Sequence, residues 1–547
     1  MQRAGHPPSR PDIAPQGRPS MERLFHNPIL PGFYPDPSIC RKGDDFYLVT
    51  STFEYFPGVP VFHSRDLVHW RQIGHCLNRP SQIDLGGLDC SKGIYAATIR
   101  YHAAQDLFYM ITTRVGADYR DNVNFYVTAA DPAGPWSEPV VIPGAEGIDP
   151  TLFFDDDGTA YYLGNLRPDP GAPANGRRHI WLQAIDLQTG TLLGERHILR
   201  TDGALYGAKC PEGPHLYHIS GWYYLLIAEG GTAQNHCVTV FRSRSLFGPY
   251  APNPRNPLIT HRHLRRPQPV SCVGHADLIE TPGGEWWAVL LGMRQVGHTE
   301  RGNLGRETFL VPVIWEDEWP VFCPDSGHVE SAYPAPALPA HCWPEADPCD
   351  HFQSQAPALC WMTLRAPGTS RFSLTQRPGW LRLYLHPETL DGTGSPAFLC
   401  RRQQYMHFSA CACMEFTPLH AHESAGIAVL ISRKAYLSME CTVVHGAPAL
   451  LLRRCAAGSR EVLAHVPCSA GRLLLKITAH EQWYSFSFSD TPGHWRTLLE
   501  HVDGSFMSVE QTQSYTGTVV GLYASSNGHA SKAHADFDWF DYREIPC

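Results

Sequence analysis

Charged side chains are scarce in this 547-residue chain, at 18% against the roughly 25% usual for soluble domains. Long solvent-facing helices, which carry charge over most of their exposed surface, are therefore disfavoured. No Lys/Arg-rich block interrupts the sequence, and 44 basic against 53 acidic residues leave a net charge of −9 with neutral histidine. A surface that tracks phosphates is missing, which excludes nucleic acid as a partner. No run of about 18 apolar residues is present to cross a bilayer as a helix, so no membrane partner is expected. The opening MQRAGHPPSRPDIAPQGRPS lacks the apolar core of a secretory signal, and Met21 offers a second natural start. The expected location is cytoplasmic. Cysteine itself is plentiful, but C-x-x-C pairs are absent: seventeen cysteines lie scattered singly between Cys40 and Cys547. That pattern argues against both a zinc site and a disulfide framework. Cys411 and Cys413 share one face of an expected strand and read as core packing.

What is abundant is turn-forming and aromatic. Glycine and proline, 47 each, make up about a sixth of the chain, which favours short strands joined by turns. Hydrophobic residues at 43% and aromatics at 11% supply a large core. Residues 1–24 are Pro/Arg/Gly/Ser-rich without apolar periodicity and are expected to form a disordered tail. Residues 25–323 carry short apolar-aromatic runs broken by Gly, Asp-Gly and Pro. Residues 324–348, containing SAYPAPALPAHCWPEADP, read as a linker. From 349 to 547, runs such as WLRLYLH, GRLLLKITA and WYSFSFSD alternate apolar and polar residues, the period of half-buried antiparallel strands in a β-sandwich.

The first domain contains a repeat. Five segments pair a small-residue or proline entry with a β run and an aromatic strand, beginning PDPSIC, IYAATI, IDPTLF, PEGPHL and GHADLI. With Asp36, Tyr95, Asp149, Glu212 and His275 as markers, the spacings are 59, 54, 63 and 63 residues. Units of this length holding four short strands fit the blades of a five-bladed β-propeller. Ordinary sandwich hairpins would not need so regular a spacing.

Innermost propeller strands line the channel, so the five markers should converge on the axis. Three of them are acids beside proline or glycine: Asp36, Asp149 and Glu212. Three separate solvated turn acids would be the bland reading, since Asp-Pro is a common turn dipeptide. Brought together, the carboxylates repel and at least one pKa rises, which is the electrostatic condition for acid/base work. Two carboxylates flanking a bond are the minimum apparatus for glycoside hydrolysis, and aromatic side chains supply faces on which sugars stack.

The stretches NPILPGFYPDPSI, TSTFEYFPGVPVFHSRDLVHW, GIYAATIRYH, GIDPTLFFDDDG, CPEGPHLYHISGWYYLLIAEGGT, VGHADLIETPGGEWW and LGRETFLVPV, in this order, resemble glycoside hydrolase family 43. The likeness is to its two-domain β-xylosidases and α-L-arabinofuranosidases. It extends from about Asn27 to the closing ADFDWFDYRE and implies a concanavalin-like C-terminal β-sandwich. It also implies inverting, exo-acting hydrolysis of xylo- or arabino-oligosaccharides. By this resemblance the general base falls on Asp36, the pKa-modulating carboxylate on Asp149 and the general acid on Glu212. Sugar contacts fall on Phe53, Arg306 and, from a loop of the second domain, Tyr515. His275 takes the place of an axial histidine that in some members orients water or a bound calcium. No cofactor is required, and a calcium on the axis near His275 is the one metal the resemblance suggests. Tyr95-Ala96-Ala97 departs from the Trp-Ala-Pro of many relatives, giving a smaller aromatic wall at Tyr95. Cys210, His236, Cys237 and Cys272 read as lining or packing, because a soft-ligand metal site would compete with a sugar pocket. A dedicated α-L-arabinofuranosidase, a sugar-binding propeller without turnover and a WD-type scaffold are the alternatives. Three retained acids argue against the second and the missing Gly-His…Trp-Asp period against the third. The sequence leaves room for a homo-oligomer.

Overall fold

The computed structural model describes residues 23–118, 121–167, 176–207, 209–265, 268–296, 301–491 and 493–546. It is almost wholly β, and no helix among these residues is long and apolar enough to cross a membrane. The N-terminal part holds five four-stranded antiparallel sheets, four of them built from strands consecutive in sequence and the first skipping only the short strand Tyr55–Phe56. Their innermost strands are Ser38–Lys42, Gly93–His102, Thr151–Phe154, Glu212–Ile219 and Val270–Glu280. Each sheet touches the next, and Val270–Glu280 returns to Ser38–Lys42, so the sheets close into the ring of a β-propeller.

Local sequence explains the hairpins. Thr151–Phe154 and Ala160–Leu166 pair across Asp155-Asp156-Asp157-Gly158. There the Gly158 N–H donates to Asp155 O at 2.9 Å and the Thr159 N–H to Asp157 Oδ1 at 2.8 Å. Gly158 sits at φ 86°, where only glycine is unstrained. Apolar faces of neighbouring sheets then pack together. Tyr109 and Ile111 meet Leu152, Tyr162 and Trp181, and Phe153 and Leu163 meet Leu225, Ile227 and Phe241.

The residues expected as tail and linker are more structured at their edges than composition suggested. Leu24–His26 pairs with Ala332–Pro334, while residues 1–22 of the expected tail lie outside the described residues. Further along, the His341 N–H donates to Asp66 at 2.8 Å and Trp343 Nε1–H to His69 O at 3.1 Å. Proline and alanine lower local strand propensity, but buried Asp66 and the His69 carbonyl of the ring offer acceptors that tie the segment down.

The C-terminal part is a sandwich of an eight-stranded and a six-stranded sheet. Alternate residues of strands such as Gly471–His480 and Trp483–Ser489 point inward, placing Leu473, Leu475, Ile477, Tyr484, Phe486 and Phe488 in one dry core. Cys413 belongs to the buried set and Cys411 is half-buried, and the sixteen cysteines among the described residues are all free thiols.

The two parts are docked through paired backbone. Tyr55–Phe56 of the ring pairs with Thr363–Leu364 of the sandwich. A shared cluster joins Phe33 and Tyr55 to Met362, Leu364, Val519 and Tyr523. Buried Arg402 lies 4.5 Å and 4.3 Å from the rings of Phe33 and Tyr34, and its Nε–H donates to Phe33 O at 2.8 Å.

Candidate active site

Each innermost strand delivers a side chain to one end of the ring. Asp36 and Asp149 lie two residues before Ser38–Lys42 and Thr151–Phe154, Glu212 opens its strand, and Tyr95 and His275 lie within theirs. Strand pairing slips between Tyr95 and Thr98, Glu212 and His215, and Gly274 and Asp277. Such bulges bend a strand and re-aim the side chains beside them. Asp36, Phe53, Asp149 and His275 also hold φ values of 53°, 52°, 55° and 50°. This left-handed region costs a non-glycine residue about 1–3 kcal/mol, strain that surrounding structure must sustain. Gly213 makes the close approach of two strands feasible: at its φ of 58°, a Cβ would stand 2.8 Å from His275 Cε1.

All eight side chains singled out in the sequence line one cavity of about 560 Å³: Asp36, Phe53, Tyr95, Asp149, Glu212, His275, Arg306 and Tyr515. Cys210 and His236 line it as well, whereas Cys272 borders a smaller cavity of about 130 Å³ on the sandwich side of Arg306.

The three acids occupy different electrostatic environments. Burial alone would raise the pKa of Asp36, yet Arg306, His275 and Ser51 together hold it below the usual carboxylate range. Arg306 Nη1–H donates to its Oδ1 at 2.8 Å, Ser51 Oγ–H donates to its Oδ2 at 2.7 Å, and His275 Nδ1 lies 3.9 Å from Oδ1. Burial pushes Asp149 well above that range, and the charges of Glu212 and Asp36 push it further. Burial also raises Glu212, with Asp36 adding to the effect and Arg178 and Arg306 opposing it. Asp149 and Glu212 therefore form a pair that retains a proton at a pH where an ordinary carboxyl has lost it. His275 is pushed down by burial, as is His236, to about 4, so both imidazoles are neutral near pH 7. His236 Nδ1–H donates to Cys272 O at 3.0 Å.

One wall is aromatic and comes from both domains. The Phe53 ring lies 5.2 Å from Tyr95 and 5.9 Å from Tyr515, and Tyr95 lies 6.0 Å from Tyr515. The Arg306 guanidinium stands 5.6 Å and 5.5 Å from the rings of Phe53 and Tyr515, and its Nη2–H donates to Tyr515 O at 3.2 Å.

The sequence did not point to Arg178, which lines the cavity, or to Ser51 and Ser91, which hold Asp36 and Tyr95 from behind. Arg178 places Nε 3.7 Å from Glu212 Oε2 and donates through Nη1 to Asn165 Oδ1 at 3.0 Å. It follows a Gly/Pro/Ala-rich stretch as one of two adjacent arginines, and nothing local distinguishes it. Ser51 lies inside the quoted TSTFEYF motif, two residues before Phe53, where its position was the available signal. Ser91 precedes the second repeat by three residues and carried none.

The set around His275 does not fit calcium. That ion takes six to eight oxygen ligands, whereas His275 is faced by imidazoles, the Arg306 cation and the already engaged Asp36. Beneath it the axis is closed by Arg100 Nη1–H donating to Asp277 Oδ2 at 2.8 Å; Asp277 also accepts from Ser38 and Tyr217. Among the described residues, the cluster with metal-ligand spacing is Asp155, Asp156 and His218, at the opposite ends of strands Thr151–Phe154 and Glu212–Ile219 from the cavity.

Comparison with known proteins follows the same division. The model described as "Glycosyl hydrolases family 43" matches residues 25–320, and "Beta xylosidase C-terminal Concanavalin A-like domain" matches 349–543. A xylosidase/arabinosidase of Butyrivibrio fibrisolvens is 42% identical over 95% of this chain and 100% of its own length. A non-reducing end alpha-L-arabinofuranosidase of Bacteroides ovatus is 41% identical over 95% of each chain. The crystal structure of a xylan beta-1,4-xylosidase from Bacillus halodurans superposes with a TM-score of 0.89 at 34% identity, covering 95% of this chain and 100% of that one.

Proposed function

The chain belongs to the glycosyl hydrolases of family 43, and from that premise we propose that it removes terminal β-D-xylosyl and α-L-arabinofuranosyl units from short oligosaccharides with inversion. Each four-stranded sheet is one blade of a five-bladed propeller, and the five blade entries meet at the reacting bond. The observation that carries the reading is the convergence of Asp36, Asp149 and Glu212 in one cavity in unlike surroundings, with Asp36 hydrogen-bonded by Arg306 and Ser51 and held low while burial favours the protonated form of Glu212.

Asp36, ionised at neutral pH, takes a proton from water as the water oxygen bonds to the anomeric carbon. The glycosidic bond breaks on the opposite face, its electron pair stays with the departing oxygen, and Glu212 gives that oxygen a proton. The cycle leaves Asp36 protonated and Glu212 ionised, and solvent restores both. Asp149 and Glu212 share one proton-retaining environment, and whenever Asp149 is ionised its negative charge helps hold the proton on Glu212. Neutral His275 fits a role orienting the attacking water beside Asp36. Phe53, Tyr95 and Tyr515 give the sugar an apolar face, and Arg306 gives its hydroxyls a planar donor.

The names of the relatives support both sugars, and Tyr95, standing where many relatives have tryptophan, leaves a shorter wall that suits a furanose as well as a pyranose. Hydrolysis of an aryl β-xyloside and an aryl α-L-arabinofuranoside by one preparation tests the reading. Turnover of both is expected, turnover of only the arabinofuranoside would make it a dedicated arabinofuranosidase, and turnover of neither would overturn it. Proton NMR of the first-formed sugar should give the inverted anomer.

A further inference from the structure

Beneath the aromatic wall lies a single residue through which both domains are fastened. Ser91 makes four directed contacts: its N–H donates to Glu54 Oε2 at 2.9 Å, its carbonyl accepts from Tyr95 Oη–H at 2.6 Å, and its Oγ accepts the Tyr515 N–H at 2.9 Å and shares a hydrogen bond with Ser514 Oγ at 3.4 Å. Its φ of 61° turns these groups in three directions at once. The residues before it are gripped by the sandwich. Arg433 donates to both carboxylate oxygens of Asp89 at 2.6 Å and 2.9 Å, and Arg365 Nε–H donates to Leu88 O at 2.6 Å. Glu54, fully buried, is itself held by the sandwich, since its carbonyl accepts the Arg365 N–H at 2.8 Å. It is also the chain neighbour of Phe53. The three rings of the wall therefore trace back to one small assembly, Tyr95 and Tyr515 through Ser91 and Phe53 through Glu54.

We propose that Ser91, anchored by Glu54, is the positioning residue of the sugar-binding wall, coupling the sandwich loop that carries Tyr515 to Tyr95 and thereby setting affinity for the sugar. The proposal rests on the glycosidase reading above and deepens it. Ser91 contacts none of the three acids by any hydrogen bond in the structure, so its effect belongs to binding and not to proton transfer. A serine at positive φ, where glycine would be less strained, is accounted for by what its hydroxyl accepts.

Ser91→Gly tests this without penalising the fold, because glycine takes the same φ freely. KM should rise roughly 3- to 10-fold, the range of one net hydrogen bond, on both aryl glycosides, with kcat within about twofold and both limbs of the pH profile in place. Glu54→Ala should move KM the same way, and Glu54→Gln, which keeps an acceptor for the Ser91 N–H, should recover most of that loss. Hydrogen exchange of the Tyr515 amide should be faster in Ser91→Gly whatever the protein hydrolyses. An unchanged KM with unchanged Tyr515 exchange would overturn the proposal, as would a fall in kcat at constant KM. Failure of the wild-type protein to cleave either glycoside would overturn the glycosidase reading instead, and the exchange measurement would then decide the coupling alone.

Discussion

The two domains use the same element, a short antiparallel strand, to bury opposite things. Between the sandwich sheets lie Leu473, Leu475, Ile477, Phe486 and Phe488, each with essentially no exposed surface and no charge among them. At the axis of the propeller lie Asp36, Asp149, His215, His275, Asp277 and Arg306, all buried, with Arg100 beside them half-buried. The sandwich follows the apolar-in alternation without exception along strands such as Gly471–His480, and it gains stability in proportion to the area removed from water. The ring interrupts its ladders by bulges and positive φ where its acids converge. A buried carboxylate costs stability unless paired, and here the unequal pairing is what sets one acid low and another high. The comparison teaches that the ring aims Glu212 and His275 into its cavity where its inner ladders slip, and that the sandwich, whose own ladders slip elsewhere, supplies the docking surface from which Tyr515 and Arg365 reach it.

The largest expected difference between the regions is kinetic. Asp36→Ala should lower kcat by about 10⁴ on every substrate, because water activation is required whatever leaves. Glu212→Ala should cost about 10²–10⁴ on xylobiose and far less on a dinitrophenyl glycoside, whose leaving group departs unaided. Equal losses on the two substrates would move the proton donor elsewhere, with Asp149 next in line. In the sandwich, Phe486→Ala should remove about 3–5 kcal/mol of stability by urea titration while kcat of the folded enzyme stays near wild type. A large kinetic effect there would erase the distinction between the regions.

Smaller effects sharpen it. Arg306→Met removes a cation that helps hold Asp36 low, so the acidic limb of kcat/KM should move to higher pH, measured in a pH–rate profile. A limb that stays in place would show that Ser51 and His275 suffice. The smallest effect concerns Glu54, which burial pushes up to about 7 against the opposing pull of Arg365. A carboxyl raised on folding binds a proton that the unfolded chain has released. Its contribution is therefore fully present below about pH 4.5 and is lost as pH rises through about 7. Glu54→Gln should flatten the fall in Tm over that window, and an undiminished slope would assign it to Asp149 and Glu212.

Much of this was legible in the chain. The regular spacing of Asp36, Tyr95, Asp149, Glu212 and His275 identified the innermost strands, because a repeated unit must place equivalent residues at equivalent radii. Period-2 alternation identified the sandwich, because side chains on a strand leave alternately to its two faces. The motifs around those positions carried the family and with it Phe53, Arg306 and Tyr515. Composition misjudged the edges: Ala332–Pro334 reads as linker by its prolines but closes a small sheet with Leu24–His26, a partner some 300 residues away. Local propensity has no access to such a partner.

What the sequence by itself determined was therefore the kind and order of the elements and which acids meet, since both follow from periodicity and repetition along one chain. Only the tertiary structure decided which acid is held low and which high, that Arg178 stands by Glu212 and Ser51 by Asp36, and that Ser91 joins two domains. Those outcomes depend on burial and on distances between residues far apart in sequence, and a Coulomb interaction or a hydrogen bond is set by separation in space.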